Sequence, residues 1–316
     1  MPEAATRGDR KKEGAKGHAG RDPTPAHRKG LAAIDITTPS QAAPCIAIVI
    51  VNYRGKDDTL ACLDSLRHLT CPGARDVIVV DQPPTDGTAK AVRAAFPYVH
   101  VIENEKNDGF AGGNNIGIRV ALDRGAEYVL LLNNDTVVEP GFLEPLVALA
   151  QSDKRIGIVG PKMLYASRPD TIWSAGARIN WRGHSIRLGD GTIDGDAGCE
   201  SAAPRDVDFI VGCGLMVKRA VLENVGLLDE RYFLYFEETD LCARARKAGY
   251  RVVYQPGARL WHKVSQSTGE DSLLTLYYMR RNALLYLERH GERPFRGRLT
   301  ALYDALHLAA IWTVRR

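Results

Sequence analysis

Val129, Leu130, Leu131 and Leu132 form an apolar run that stops on Asn133, Asn134 and Asp135. The run is too short for a typical helix. It fits a β-strand covered on both faces, which is the environment of a parallel sheet. In an open α/β sheet the ligand lies outside the carboxyl ends of the strands, so these three polar residues stand where a ligand would. A carboxylate flanked by amide oxygens is the hard oxygen chemistry that Mg²⁺ or Mn²⁺ prefers. The same triplet also reads as a plain turn before a helix cap, since Asn and Asp favour turns. The rest of the chain has to weigh the two.

The flanking sequence repeats the pattern. Ile46 to Val51 is a second apolar run, ending on Asn52, Tyr53 and Arg54. Leu60, Leu63, Leu66 and Leu69 then fall on one helical face. Val77 to Val80 ends on Asp81, and Asp86-Gly87 precedes a short helix from Thr88 to Phe96. Val99 to Ile102 is a third run. A Gly/Asn-rich stretch from Asn107 to Gly117 leads into a helix to about Arg124. Strand and helix alternating at this spacing predict βαβ units and a parallel sheet.

The second half is less regular. Gly141 to Ala150 reads as a helix and Ile156 to Val159 as a strand. Residues 163–206 hold short alternating runs and Gly/Asp turns, predicting hairpins or an extended excursion. Val207 to Val211 is predicted to resume the sheet, Gly212 and Gly214 to break it, and Leu215 to Val217 to continue it. A short helix over 219–225 and one over 241–248 are each stopped by Gly. Arg251 to Tyr254 is a strand and Ala258 to His262 a further one. Residues 265–269 are a polar loop, 271–289 a long helix, and 299–314 an apolar helix that packs on the body or lies on a membrane or partner.

Charge bounds the partners. The 316 residues carry a net +4, and residues 1–30 hold four Lys, four Arg and four acids, which accounts for all of it. The balanced remainder argues against nucleic-acid binding, which needs a basic face. Residues 1–43 read as a disordered basic arm that touches anionic lipid or simply solvates the terminus. The six cysteines show no CxxC pair and no zinc spacing, which suits a reduced cytosolic chain. No apolar run reaches the roughly 18 residues needed to span a bilayer.

Two further groups carry chemistry. Glu237, Glu238 and Asp240 open a helix directly after Phe233, Tyr235 and Phe236. Acids are common in a first helical turn because they complement the dipole. An aromatic wall can instead raise a carboxylate's pKa and make it a usable general base. His262, at a strand end, reads either as structural or as a partner to Asp135 in a divalent metal site.

Taken in order, these motifs resemble the inverting family 2 glycosyltransferases of GT-A fold, and within them the rhamnosyltransferase-like branch that builds cell-wall and surface polysaccharides. The resemblance covers roughly residues 46–290. Its carriers are Ile48 to Arg54, Asp81 with the Asp86-Gly-Thr88 turn, the Gly/Asn stretch 107–117, Leu-Leu-Asn-Asn-Asp135, Glu237-Glu238-x-Asp240 to Arg244, Trp261-His262 to Gly269, and Arg281-Asn282. It implies an α/β fold: a Rossmann-like, mostly parallel sheet flanked by helices, with the GT-A domain over 44–270 and a helical segment over 271–316. Asn52, Tyr53, Arg54, Asp81, Asp86, Gly113, Asn114, Asn133 and Asn134 would face the nucleotide. Asp135, with His262, would hold Mg²⁺ or Mn²⁺ against the diphosphate. Glu238 stands at the position of the catalytic base, usually Asp, while Glu237 and Asp240 would shape the acceptor pocket. Gly212 and Gly214 would let backbone approach the donor sugar.

Two features depart from the family pattern. The stretch between Asp81 and Asp86 contains Pro83-Pro84, which stiffens the loop and removes two N–H donors. The base is Glu rather than Asp. The implied reaction is single-step inversion: a divalent cation supports the departing diphosphate, one carboxylate activates the acceptor hydroxyl, and no covalent intermediate is needed. The expected donor is a dTDP- or UDP-sugar, with dTDP-rhamnose first and a galactofuranose donor second. The expected acceptor is a glycan or lipid-linked precursor. That chemistry implies a cytoplasmic protein with peripheral contact at the inner face of the membrane. The rival readings are a nucleotidyltransferase, which would open with a basic Gly-rich phosphate loop that Asn52 to Lys56 is not, and a non-catalytic nucleotide- or glycan-binding module.

Overall fold

The structure is a computed structural model that describes residues 45–70, 73, 75–196, 202–264 and 272–291. The basic arm, the polar loop 265–269 and the apolar stretch 299–314 lie outside the described residues.

The apolar runs become the centre of one sheet. β1 (Ile46–Asn52), β2 (Arg75–Asp81), β3 (His100–Glu103) and β4 (Tyr128–Asn133) pair in parallel in the order β3-β2-β1-β4. Ile46, Ile48, Ile50, Ile78 and Leu130 are fully buried, which is why these strands read as continuous apolar runs. The crossovers are α1 (Lys56–Arg67), α2 (Thr88–Ala95) and α3 (Gly109–Asp123). Beyond β4, a short β5 (Thr136–Val138) and α4 (Leu143–Ser152) lead to β6 (Ile156–Tyr165). The excursion forms β7 (Arg168–Ser174), the hairpin β8 (Ala177–Ile179) with β9 (Ser185–Arg187), and a two-residue β10 (Arg205–Asp206). β11 (Gly214–Lys218) then inserts between β4 and β6 and runs antiparallel to both. α5 (Arg219–Val225), α6 (Glu237–Lys247), β12 (Arg251–His262) and α7 (Leu273–His290) complete the described chain. The result is the expected GT-A arrangement: a central sheet, parallel over its N-terminal half, between helices.

Three sequence expectations change. The Gly/Asn stretch is helical from Gly109 onward, because its glycines let α3 lie tight on the sheet: a Cβ on Gly117 would sit 2.3 Å from Val49 Cγ1. Val207 to Val211 is not a strand. Phe209 and Ile210 are buried, but this segment pairs its backbone with Ala177 and Val252 rather than with a ladder. The two strands expected over 251–262 are one long β12, parallel to β6, with an irregularity between Gln255 and Arg259.

Candidate active site

The end of β4 and the end of β12 meet. After Asn133 the chain turns through Asn134 and Asp135 into β5, which pairs with β12 so that Thr136 lies opposite His262. The Asp135 carbonyl accepts from the Lys263 amide at 3.0 Å. This register brings His262 Nε2 to 3.1 Å from Asp135 Oδ1. Both atoms are buried, yet neither satisfies hydrogen-bond geometry with any protein group, and Asn133 Oδ1 is in the same state. Trp173 fixes the imidazole from the side, with ring centroids 4.5 Å apart at 66°.

Two lone-pair donors at this spacing suit adjacent corners of an octahedral cation whose ligand bonds are about 2.0–2.1 Å long. A carboxylate with an imidazole is a donor set that Mn²⁺ or Mg²⁺ accepts. Among the described residues no group of three or more His, Cys, Asp or Glu gathers elsewhere as a metal cage. The chain thus offers a two-residue site, the kind such cations complete with phosphate oxygens and water. The residues present fit the ion.

Next to this pair lies a polar network at the ends of β1 and β2. Asn52 Nδ2 donates to Asp81 Oδ1 at 2.7 Å, and Asp81 Oδ2 accepts from the Ala89 amide at 3.0 Å. Asn52 Oδ1 accepts from the Gly55 amide, the Thr59 hydroxyl and Asn134 Nδ2. Asn52 and Asp81 are fully buried, and burial pushes the Asp81 carboxyl up against the bonds from Asn52 and Ala89. Asn52 therefore sets the position of Asp81 and Asn134. Asp86 accepts from the Thr88 amide and hydroxyl at the start of α2. Tyr53 is exposed and Arg54 lies over its ring with φ 55°. Asn114 is buried with its amide donating to the Phe110 carbonyl, and the space beside Gly113 is filled by the Gln82 side chain.

The acids of α6 divide into two roles. Glu237 and Glu238 are buried, and one carboxylate oxygen of each has no partner. Burial pushes the Glu238 carboxyl up to about 7, against backbone groups of Glu238, Thr239, Gly212 and Phe236 that favour its ionised form. Burial and the neighbouring Glu238 charge push Glu237 well above the carboxylate range. Asp240 is different. It accepts from Arg244 Nε at 2.7 Å, lies 2.7 Å from His290 Nε2, and has Arg289 at 3.3 Å. Burial would raise its pKa, but His290 and the two arginines hold it below the usual range. Its carboxylate joins α6 to α7.

The residues leading into β11 link Glu238 to the Asp135–His262 pair. Gly212, just before it, touches Glu238 through its backbone, and the Cys213 carbonyl accepts from the Asn133 amide at 3.3 Å. Burial pushes the Cys213 thiol well up, and the charges of Asp135 and Glu238 both add to that. One residue thus feels both carboxylates. The missing side chains of Gly212 and Gly214 make room for protein: the Phe110 ring beside the first, Leu260 and Pro161 beside the second. Sequence reasoning missed Trp173, which sits in the irregular excursion with no periodic signal. Asn282 stands in the sequence beside Arg281 with no pattern that assigns it a role.

The sequence model of the family described as Glycosyltransferase like family 2 matches residues 43–284. The chain belongs to that family. Among curated relatives, a low-salt glycan biosynthesis hexosyltransferase of Haloferax volcanii is 28% identical, over 66% of this chain and 63% of that protein. The dTDP-rhamnosyl transferase RfbF of Shigella flexneri is 26% identical, over 84% and 88%. An N-acetylglucosaminyl-diphospho-decaprenol L-rhamnosyltransferase of Mycobacterium tuberculosis is 28% identical, over 68% and 75%. The fold matches GalNAc-T7 solved with UDP, GalNAc and Mn²⁺ at TM-score 0.57, with 17% identity over 70% of this chain and 44% of that one. It also matches the mannosyltransferase PcManGT of Pyrobaculum calidifontis, solved with GDP-Man and Mn²⁺, at TM-score 0.51, with 17% identity over 88% and 87%.

Proposed function

We propose that this family 2 glycosyltransferase moves a sugar, with inversion, from a nucleoside diphosphate donor to a hydroxyl of a glycan or lipid-linked acceptor, with Glu238 as general base. The observation that carries the reading is Glu238 itself: buried, poised near neutrality, with an unpartnered oxygen, and joined through Gly212 and Cys213 to the Asp135–His262 pair. A base is most effective when its pKa lies near the working pH. Glu238 would accept the proton of the attacking hydroxyl at its free oxygen. Glu237, held protonated by burial and by that neighbour, would stay neutral and leave a single negative charge at the base.

Asp135 and His262 would hold Mg²⁺ or Mn²⁺, and Asn133 Oδ1 faces the same unmet demand for a partner. The bound ion would supply Lewis acidity at the departing diphosphate. The Asn52–Asp81–Asn134 network would seat the nucleotide. A dTDP-deoxysugar, rhamnose first, is the favoured donor and a galactofuranosyl nucleotide the second. The names of the Shigella and Mycobacterium relatives support the former, and the latter also supports a lipid-linked acceptor. Such an acceptor would place the chain at the cytoplasmic face of a membrane. Among the described residues no helix is long and apolar enough to cross one.

The test is binding of a panel of nucleoside diphosphates and nucleotide sugars with and without Mn²⁺ or Mg²⁺. Ligand at 100 times Kd should stabilise the fold by about 2.7 kcal/mol, which thermal shift resolves. Metal-dependent binding of one nucleotide, abolished in Asp135→Ala, is the expected result. A well-folded protein with no metal-dependent response to any nucleotide would defeat the reading.

A further inference from the structure

The segment that presents Glu237 and Glu238 is backbone-strained. Phe233, Tyr235 and Phe236 have φ of 64°, 69° and 74°, a region that non-glycine residues enter only under strain. Three such residues in four, directly before the base, need something to hold them. On one side the Phe233 carbonyl accepts from the Phe110 and Ala111 amides, free donors in the first turn of α3. On the other side stands α7.

α7 meets the segment with residues four apart, which share a helix face. Tyr278 stacks on Phe233 at 5.2 Å. Tyr286 packs on Phe236 at 5.9 Å. His290 reaches Asp240. Between them Asn282 is fully buried, with Nδ2 at 2.9, 2.8 and 2.7 Å from the carbonyls of Tyr232, Leu234 and Tyr235. Arg281 donates to its Oδ1 at 3.2 Å, which fixes the amide with its N–H groups toward the strained backbone. The aromatic contacts fill space. Asn282 is the group on this face whose hydrogen-bond donors define where the carbonyls must lie.

We infer that Asn282 is a positioning residue for transfer: its side-chain amide pins the left-handed turn 232–236 and thereby aims Glu238 at the acceptor hydroxyl. This rests on the reading of Glu238 as the base. Asn282 touches no substrate. Its loss should therefore cost turnover and not donor binding, because its amide donates to the carbonyls of Tyr232, Leu234 and Tyr235, whereas the donor-side residues lie at the ends of β1, β2 and β4.

The experiment compares Asn282→Asp, Asn282→Ala and Glu238→Gln in the full chain. The Asp variant keeps the volume and the Arg281 contact but replaces donors with acceptors facing three carbonyls. It should lower kcat more than about tenfold while nucleotide-sugar affinity in Mn²⁺, measured by calorimetry, stays within about twofold. The acid limb of kcat/KM should also move away from its wild-type position, because the backbone groups that tune Glu238 shift. Wild-type kcat and pH limb in Asn282→Asp would overturn the inference. So would loss of donor affinity and Tm in step with kcat in both variants, which is a fold defect. If Glu238→Gln keeps its turnover, the base assignment fails, whatever Asn282 does. An inert Glu238→Gln beside a fully active Asn282→Asp defeats the inference alone.

Discussion

At the level of single residues, Glu238 is set by two opposing influences. Burial favours the neutral acid, while the backbone groups of α6's first turn and of Gly212 favour the carboxylate, and the balance lies near 7. As the proposed general base, Glu238 must be ionised to take a proton. So kcat/KM should rise with pH through about 7 and flatten above it, falling roughly tenfold per unit on the acid side. Glu238→Gln should lose about 10²- to 10⁴-fold in kcat, the usual worth of a general base, and should still bind donor. The pH profile and calorimetry of that one variant check both statements. How far these roles could be read from sequence differs by residue. The run of three acids in four marked a site. It could not show that Asp240 serves α7, because its partner His290 lies fifty residues away. Nor could it show that Asp135 and His262 meet, since their pairing depends on the three-residue β5, which has no periodicity to detect.

At the level of elements, the buried strands were legible because a strand covered on both faces must be apolar along its covered length, and β1, β2 and β4 carry such runs over 46–51, 77–80 and 129–132. The misread segments fail for the converse reason. Val207 to Val211 is apolar because it fills core space, and its backbone is satisfied without a ladder. The Gly/Asn stretch has loop composition but forms a helix, since its glycines serve contact with Val49 and Gln82 rather than turns. Two of these glycines should separate packing from site geometry. In Gly117→Ala the new methyl meets Val49 at 2.3 Å, overpacking that should cost about 1–3 kcal/mol and leave kcat near wild type. In Gly109→Ala it meets the Phe233 carbonyl at 2.3 Å and φ is 70°. That variant should lower both Tm and kcat, because Phe233 belongs to the turn that carries the proposed base. Equal kcat in the two variants would contradict the link between α3 and the base.

For the molecule as a whole, the site draws on stability. Glu237 and Glu238 have folded-state pKa values raised above those of an unfolded chain. The sign follows: their contribution is fully present below about pH 4.5 and is lost as pH rises through the folded values. Wild-type Tm should therefore decline from pH 5 to pH 8. Glu238→Gln should be the more stable protein at pH 8, by on the order of 3 kcal/mol, with the advantage shrinking toward pH 5. An unchanged difference across that range would show that Glu238 is not raised. A catalytic substitution that stabilises is expected where a site holds an unfavourable charge in place.

The left-handed turn before Glu237 also has a consequence for how such chains diverge. Glycine enters that backbone region at no steric cost. In a descendant with glycine at positions 233, 235 and 236, the turn would carry no steric strain, and less would rest on the amide at 282. In a descendant that keeps aromatic residues there, losing the amide should lower turnover if Asn282 acts as proposed. If Asn282 holds the turn as proposed, these positions should change together, although more than forty residues of chain separate the turn from α7's asparagine.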